Sequence, residues 1–126
     1  MADLLEARFA FVDGVAVARL EGHFAMQAGI RWIGETLAWA RLRQFRQVMM
    51  VTTAATGFEA PSLALRVEMI REWAAAAGDR MAVAIVCRPE FIDPQKFGIT
   101  VATGFGLNAN VFADEDAAME WLRDPA

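Results

Sequence analysis

The fold is decided by the stretch Arg46–Arg71, which reads RQVMMVTTAATGFEAPSLALRVEMIR. Its apolar run Val48–Val51 has the composition of a strand that is buried on both faces of a sheet. A polar turn follows over residues 52–62, and helical spacing resumes from Ser62 to Ala77. In parallel α/β proteins, ligands usually bind at such a turn, beyond the carboxyl end of a central strand. The turn is therefore the first candidate site.

The segments on either side extend the same pattern. An antiparallel hairpin is predicted for Arg8–Val12 and Val15–Leu20, because the intervening Asp13-Gly14 favours a tight turn. Further strands are predicted at 81–87 and 109–112, and helices at 25–43, 62–77, 95–105 and from 114 onward. The order ββαβαβαβα predicts a single α/β domain over residues 1–126, with one mixed, mostly parallel sheet of about five strands and about four helices.

Composition limits the class of protein. A net charge of −4, from 12 basic and 16 acidic residues, disfavours nucleic acid as the partner. No apolar run approaches the roughly 18 residues that a membrane-spanning helix needs, and the acidic N-terminal residues are unlike a secretory signal. The single cysteine, Cys87, favours a reducing compartment. We therefore expect a cytoplasmic protein with no transmembrane segment.

The inventory of reactive side chains disfavours an enzyme. His23 and Ser62 are the only histidine and the only serine, and neither lies in a nucleophile motif. His23 and Cys87 alone are too few ligands for a zinc site, and no EF-hand or P-loop spacing occurs. The sequence predicts no catalytic residues, no metal and no cofactor.

The turn itself offers hydroxyl groups and one aromatic ring as candidates for ligand binding or modification. Hydroxyls beside a helix N-terminus suit a carboxylate, a phosphate or another small anion. The same hydroxyls commonly cap helices and satisfy loops, so both interpretations stay open. The candidates are Thr52, Thr53, Thr56, Phe58 and Ser62.

Aromatic residues of the predicted helices suggest two further kinds of surface. Trp32 and Trp39 share one line of the first helix, beside its core stripe of Met26, Ile30, Ile33, Leu37 and Ala40. Either neighbouring elements cover the pair, or it is exposed and marks a protein partner or a homodimer. In the second helix, the expected buried stripe is Leu63, Val67, Ile70, Ala74 and Ala77. A pocket for a hydrophobic or amphipathic molecule is predicted from Phe58, Trp73, Phe97 and Phe105.

Three segments carry a resemblance to a known family: Leu20-Glu21-Gly22, the strand, turn and helix of Val48–Met69, and the tail Gly106–Leu122. With these segments the chain resembles the STAS-like family of bacterial anti-sigma-factor antagonists, in its stand-alone branch, which is related in fold to CRAL-TRIO lipid-binding domains. Family antagonists carry a phosphorylatable Ser or Thr in an Asp-Ser-Ser/Thr-Gly-like turn, where this chain has Thr52–Gly57 without the aspartate. The resemblance implies a non-enzymatic regulatory module that acts through an unknown protein partner. The alternative is a carrier or sensor of a small hydrophobic or amphipathic, lipid-like ligand.

Overall fold

The computed structural model describes residues 9–123. Arg8, the first residue of the expected hairpin, lies outside that range. The described residues form seven strands and four α-helices: β1 Phe9–Val12, β2 Val15–Arg19, β3 Gly22–His23, α1 Met26–Leu42, β4 Gln47–Val51, β5 Ala55–Thr56, α2 Leu63–Ala77, β6 Ala82–Val86, α3 Phe97–Gly104, β7 Asn108–Phe112 and α4 Glu115–Arg123. A short 3₁₀ helix occupies Pro89–Phe91.

The main sheet has the order β1-β2-β4-β6-β7, so β4 lies at its centre. Val48 of β4 pairs with Ala16 on one side and Val83 on the other, and both pairings are parallel. Only the β1–β2 hairpin is antiparallel, and its turn residues Asp13 and Gly14 have φ values of 52° and 82°. The predicted α/β class, the mixed five-stranded sheet and the central position of Val48–Val51 are confirmed.

Side chains alternate between the two faces of the sheet, and each face has its own apolar core. On one face, Ala18, Met50 and Val83 pack with residues of α1, α2 and α3. On the other, Met49 and Val51 pack with Ala118 and Leu122 of α4. The three crossover helices therefore lie on one face, which is also where the cavity described below forms.

Helix α1 is buried more widely than its predicted core stripe. Ile33, Leu37 and Ala40 are buried as expected, but Trp32 and Trp39 are only 7% and 6% exposed. The ring of Trp39 stacks on Phe9 of β1 with the centroids 4.4 Å apart. The alternative in which Trp32 and Trp39 form an exposed interaction surface is wrong, because both side chains are buried.

Helix α2 begins and ends where its capping residues lie. The Ser62 hydroxyl accepts a hydrogen bond from the Leu65 amide at 3.2 Å, and Gly78 ends the helix with a φ of 75°. Ile70, Ala74 and Ala77 are buried as the stripe predicts, and so is Trp73. Leu63 was expected in the stripe but is 59% exposed, since it occupies the first, outward-facing position after the cap.

A second, two-stranded sheet was not predicted. Strands β3 and β5 pair in parallel, with Gly22 opposite Ala55 and His23 opposite Thr56. Nδ1 of His23 lies 3.2 Å from the Thr56 hydroxyl, so the side chains of the two short strands also contact each other. The pairing fixes the first half of the turn after β4 against the chain that leads into α1.

Candidate functional site

The candidate site lies at the carboxyl edge of the parallel strands. The residues that follow β2, β4 and β6 are Leu20, Thr52 and Cys87. Their amides continue the sheet by donating to the carbonyls of Val51, Val86 and Phe112, at 2.9, 2.8 and 3.0 Å. All three residues line one cavity. The structure thus places a concave site at the carboxyl edge of the parallel strands, where the sequence predicted one.

The apolar cavity has a volume of about 160 Å³ and lies between the sheet and the helices α1, α2 and α3. Val83 and Ala109 of the sheet line it, and so does Leu37 of α1. Trp73 of α2 lines it as well, and its indole nitrogen donates to the Ile30 carbonyl of α1 at 3.1 Å. This hydrogen bond joins the two helices that form the walls.

Small residues explain why the interior is not filled here. Gly29, Gly98, Ala102 and Ala109 all face the cavity from α1, α3 and β7. A Cβ atom built on Gly29 would lie 3.9 Å from the nearest side chains, those of Leu20 and Phe58. Protein interiors normally fill such space with larger side chains, so four small residues at facing positions leave room for another molecule.

The rim of the cavity is formed by Phe58, Pro61, Arg66 and Phe91, which are all half-buried. The rings of Phe58 and Phe91 contact each other in a tilted arrangement, with the centroids 5.6 Å apart. Arg66 holds the rim together, because Nε donates to the Pro61 carbonyl at 3.2 Å and Nη1 to the Phe91 carbonyl at 3.4 Å. The rim therefore combines two aromatic rings with one cation.

The predicted hydroxyl residues have separate roles. Thr52 lines the cavity, and its hydroxyl donates to the Val86 carbonyl at 3.3 Å. Thr56 is exposed and its hydroxyl contacts the Gly22 carbonyl at 3.4 Å. Ser62 caps α2, and Thr53 is exposed. The structure does not bring these four hydroxyls together into one anion site.

Only two of the four predicted pocket residues line the cavity. Phe58 and Trp73 line the cavity, as predicted. Phe97 and Phe105 are not among the lining residues, and Phe105 is 44% exposed. That part of the prediction is wrong because α3 turns Gly98, Ile99 and Ala102 toward the cavity instead.

Arg66 is the functional residue that sequence reasoning missed. Among residues 9–123, it is the only charged residue that lines the cavity. The signal was present, since Arg66, Ile70, Trp73 and Ala77 follow one another at helical spacing, and the last three are buried. An arginine in register with a buried stripe indicates a charge directed at an apolar interior.

The pKa of Cys87 reflects the apolar surroundings of the cavity wall. Burial raises the pKa of the Cys87 thiol to about 11, and the nearby charge of Arg66 opposes this shift. The thiolate is the reactive form of cysteine. Cys87 is therefore an apolar wall residue at neutral pH.

Slow alkylation of Cys87 is expected from this environment. A pKa of about 11 in place of 9.0 lowers the thiolate fraction near pH 8 by about 100-fold. Iodoacetamide should thus modify the native protein at least about 100 times more slowly than the protein in guanidinium chloride. Mass spectrometry over time measures both rates, and similar rates in the two states would contradict the burial of Cys87.

Other kinds of site find no support in the described part of the chain. Among residues 9–123, no group of three or more His, Cys, Asp or Glu side chains is arranged to hold a metal ion. Within the same residues, no helix combines the length and the apolar character that crossing a bilayer requires. The cavity is therefore the feature on which a function can be argued.

Comparisons with known proteins identify no relative of this chain. No family model, no curated protein and no solved structure matches the chain significantly. The resemblance to the STAS-like family thus rests on the order of the elements and the quoted segments alone. The geometry of the cavity has to carry the functional interpretation.

Proposed function

We propose that the protein is a non-enzymatic carrier or sensor that binds a small, mainly apolar molecule in the apolar cavity. The observation that carries the proposal is a cavity of about 160 Å³ at the carboxyl edge of the sheet, lined almost wholly by apolar side chains. An apolar cavity of about 150 Å³ in another protein stays dry and takes up benzene, so this volume suits a ligand part of that size.

The lining also favours binding over catalysis. Cys87 is held in its thiol form by burial, and Thr52 already donates to a main-chain carbonyl. His23 does not line the cavity and contacts Thr56 in the second sheet. A reaction would need a nucleophile and a base in mutual contact, and the lining residues do not supply such a pair.

Filling the cavity should weaken binding. Gly98 faces the cavity, and a Cβ atom there would contact Ile70 Cδ1 at 3.4 Å, so the larger side chain of Gly98→Leu extends into the lining. Isothermal titration with phenethyl alcohol, a neutral probe that carries one benzene ring, should show binding to the wild type. In Gly98→Leu the affinity should fall at least about tenfold, the effect of roughly 1.4 kcal/mol of steric cost.

Gly104→Leu is the matched control for this experiment. Gly104 lies in the same helix, but a Cβ atom there meets nothing within 4 Å. This variant should bind phenethyl alcohol as the wild type does. Wild-type affinity in Gly98→Leu, or no binding to any of the three proteins, would overturn the proposal.

A second proposal, that the chain is an interaction module and forms a homodimer, is favoured by one observation at the edge of the sheet. β1 is an edge strand, and its Phe11 is 59% exposed while stacking on Phe45 with centroids 5.3 Å apart. Exposed apolar edge strands pair readily with a second strand. Native mass spectrometry should then show a dimer that Phe11→Lys converts to monomer, whereas a monomeric wild type would exclude this interface.

A further inference from the structure

Arg66 stands out because nothing in the structure explains its charge. It lies on α2, in register with the buried residues Ile70 and Trp73, and lines a cavity that is otherwise uncharged. Long cationic side chains usually carry their charged ends out to water. Here the guanidinium instead lies against the carbonyls of Pro61 and Phe91 at the rim.

The guanidinium keeps unused hydrogen-bonding capacity. Nε and Nη1 each donate to one carbonyl, whereas Nη2 has no protein partner among residues 9–123. No described carboxylate forms an ion pair with Arg66. The acid beside the rim, Glu90, pairs with Arg88 at 3.9 Å, and Glu68 on the same helix pairs with Arg71 at 2.6 Å. The positive charge of Arg66 is therefore uncompensated within the described protein.

Two other polar side chains of the lining already form hydrogen bonds to the main chain. Thr52 donates to Val86, and the Asn110 side-chain oxygen accepts from the Val111 amide at 2.8 Å. Among the lining residues of 9–123, Arg66 is thus the charged group with a free donor at the boundary of the cavity. A half-buried cation beside apolar walls gains strongly from an anion, because burial weakens its hydration.

We propose that the cavity takes a small amphipathic carboxylic acid, with the carboxylate on Arg66 and an apolar part of about benzene size inside. This inference rests on the proposed function and deepens it by naming the ligand class. The planar guanidinium fork matches the two oxygens of a carboxylate. Phe58 and Phe91 flank the apolar part where it passes the rim.

A matched pair of probes tests the carboxylate. Phenylacetate and phenethyl alcohol share the ring and the two-carbon chain and differ in the charged head group. Isothermal titration of the wild type should show at least about tenfold tighter binding of phenylacetate, as expected for a charge-assisted hydrogen bond. Arg66→Met should remove that preference and leave the binding of phenethyl alcohol in place.

Two further variants separate charge from structure. Arg66→Lys keeps a cation at the rim and should retain part of the preference for phenylacetate. Arg71→Met removes an exposed arginine from the same helix and should retain all of it. Circular dichroism melts establish that each variant is folded at the temperature of the titration.

The possible results distinguish this inference from the proposed function. Equal affinity of the wild type for both probes overturns the carboxylate assignment and leaves the apolar binding site standing. If Arg66→Met still binds phenylacetate more tightly than phenethyl alcohol, another group binds the carboxylate. That result also overturns the assignment to Arg66. If neither probe binds the wild type, the proposed function itself falls, and this inference falls with it.

Discussion

Replacing Trp39 by alanine is expected to lower the free energy of unfolding by about 3–5 kcal/mol. The ring is 6% exposed and stacks on Phe9 at 4.4 Å, and the ring of Phe45 lies 6.0 Å away, beside both of them. Removing it leaves a void where the β1–β2 hairpin packs on α1, and the surrounding rings cannot fill that void without moving the edge strand. Urea denaturation followed by circular dichroism measures the loss.

Trp39→Phe serves as the control for this substitution. The indole nitrogen of Trp39 is buried and has no hydrogen-bond partner within residues 9–123, so phenylalanine loses area but also removes an unpaired donor. We expect it to cost less than half as much as alanine. A negligible loss for Trp39→Ala, combined with a change in association state, would mean that the ring lies on an interaction surface after all.

Replacing Gly57 by alanine is expected to destabilise the protein by at least about 2 kcal/mol, from backbone strain and steric overlap together. Gly57 has a φ of 104°, and an added Cβ would lie 2.4 Å from the Phe24 carbonyl oxygen. The chain there is held by the β3–β5 pairing and by the 2.8 Å hydrogen bond from the Phe24 amide to the Thr56 carbonyl. The strain therefore falls on the segment that positions Phe58 at the rim.

Gly104→Ala is the control for Gly57→Ala. Gly104 lies in α3 and an added Cβ meets nothing within 4 Å, so alanine should be neutral or should stabilise by up to about 1 kcal/mol through helix propensity. Thermal melts of the two variants provide the comparison. Equal melting temperatures would show that the second sheet does not hold Gly57 as described.

The main elements could be predicted because their signals are local. Val48–Val51 is apolar at every position, and Asp13-Gly14 specifies a tight turn, so the central strand and the hairpin followed directly. The second sheet could not be predicted in this way. Its strands, Gly22–His23 and Ala55–Thr56, are two residues each, which is too short for any periodicity to appear.

The position of the cavity was predicted, but only two of the four predicted pocket residues, Phe58 and Trp73, line it. The position followed from topology, since the carboxyl ends of parallel strands meet at one edge. The aromatic residues of α3 were misplaced because this helix is apolar on nearly all sides, and its sequence does not say which side faces the sheet. Empty space itself arises from the combination of Gly29, Gly98 and Ala109, which come together only in the folded chain.

The burial of the tryptophans depended on tertiary packing in the same way. From α1 alone, Trp32 and Trp39 lie beside the core stripe, and either exposure or burial was consistent with that position. For Trp39, strand β1 decides the question, because its Phe9 stacks on the indole ring. Periodicity describes one helix at a time, whereas burial depends on its neighbours.

Isoleucine methyl NMR tests the central claim, that the apolar cavity binds a small apolar molecule, most directly. The side chains of Ile30, Ile33, Ile70, Ile85 and Ile99 line the cavity, whereas Ile92, the remaining isoleucine, does not. Titration of the δ1-methyl-labelled protein with phenethyl alcohol should shift the signals of the five lining residues through the ring current of the probe. Ile92 provides the internal reference and should stay in place. Five unmoved lining methyls at saturating probe, or shifts of equal size at Ile92, would contradict the account.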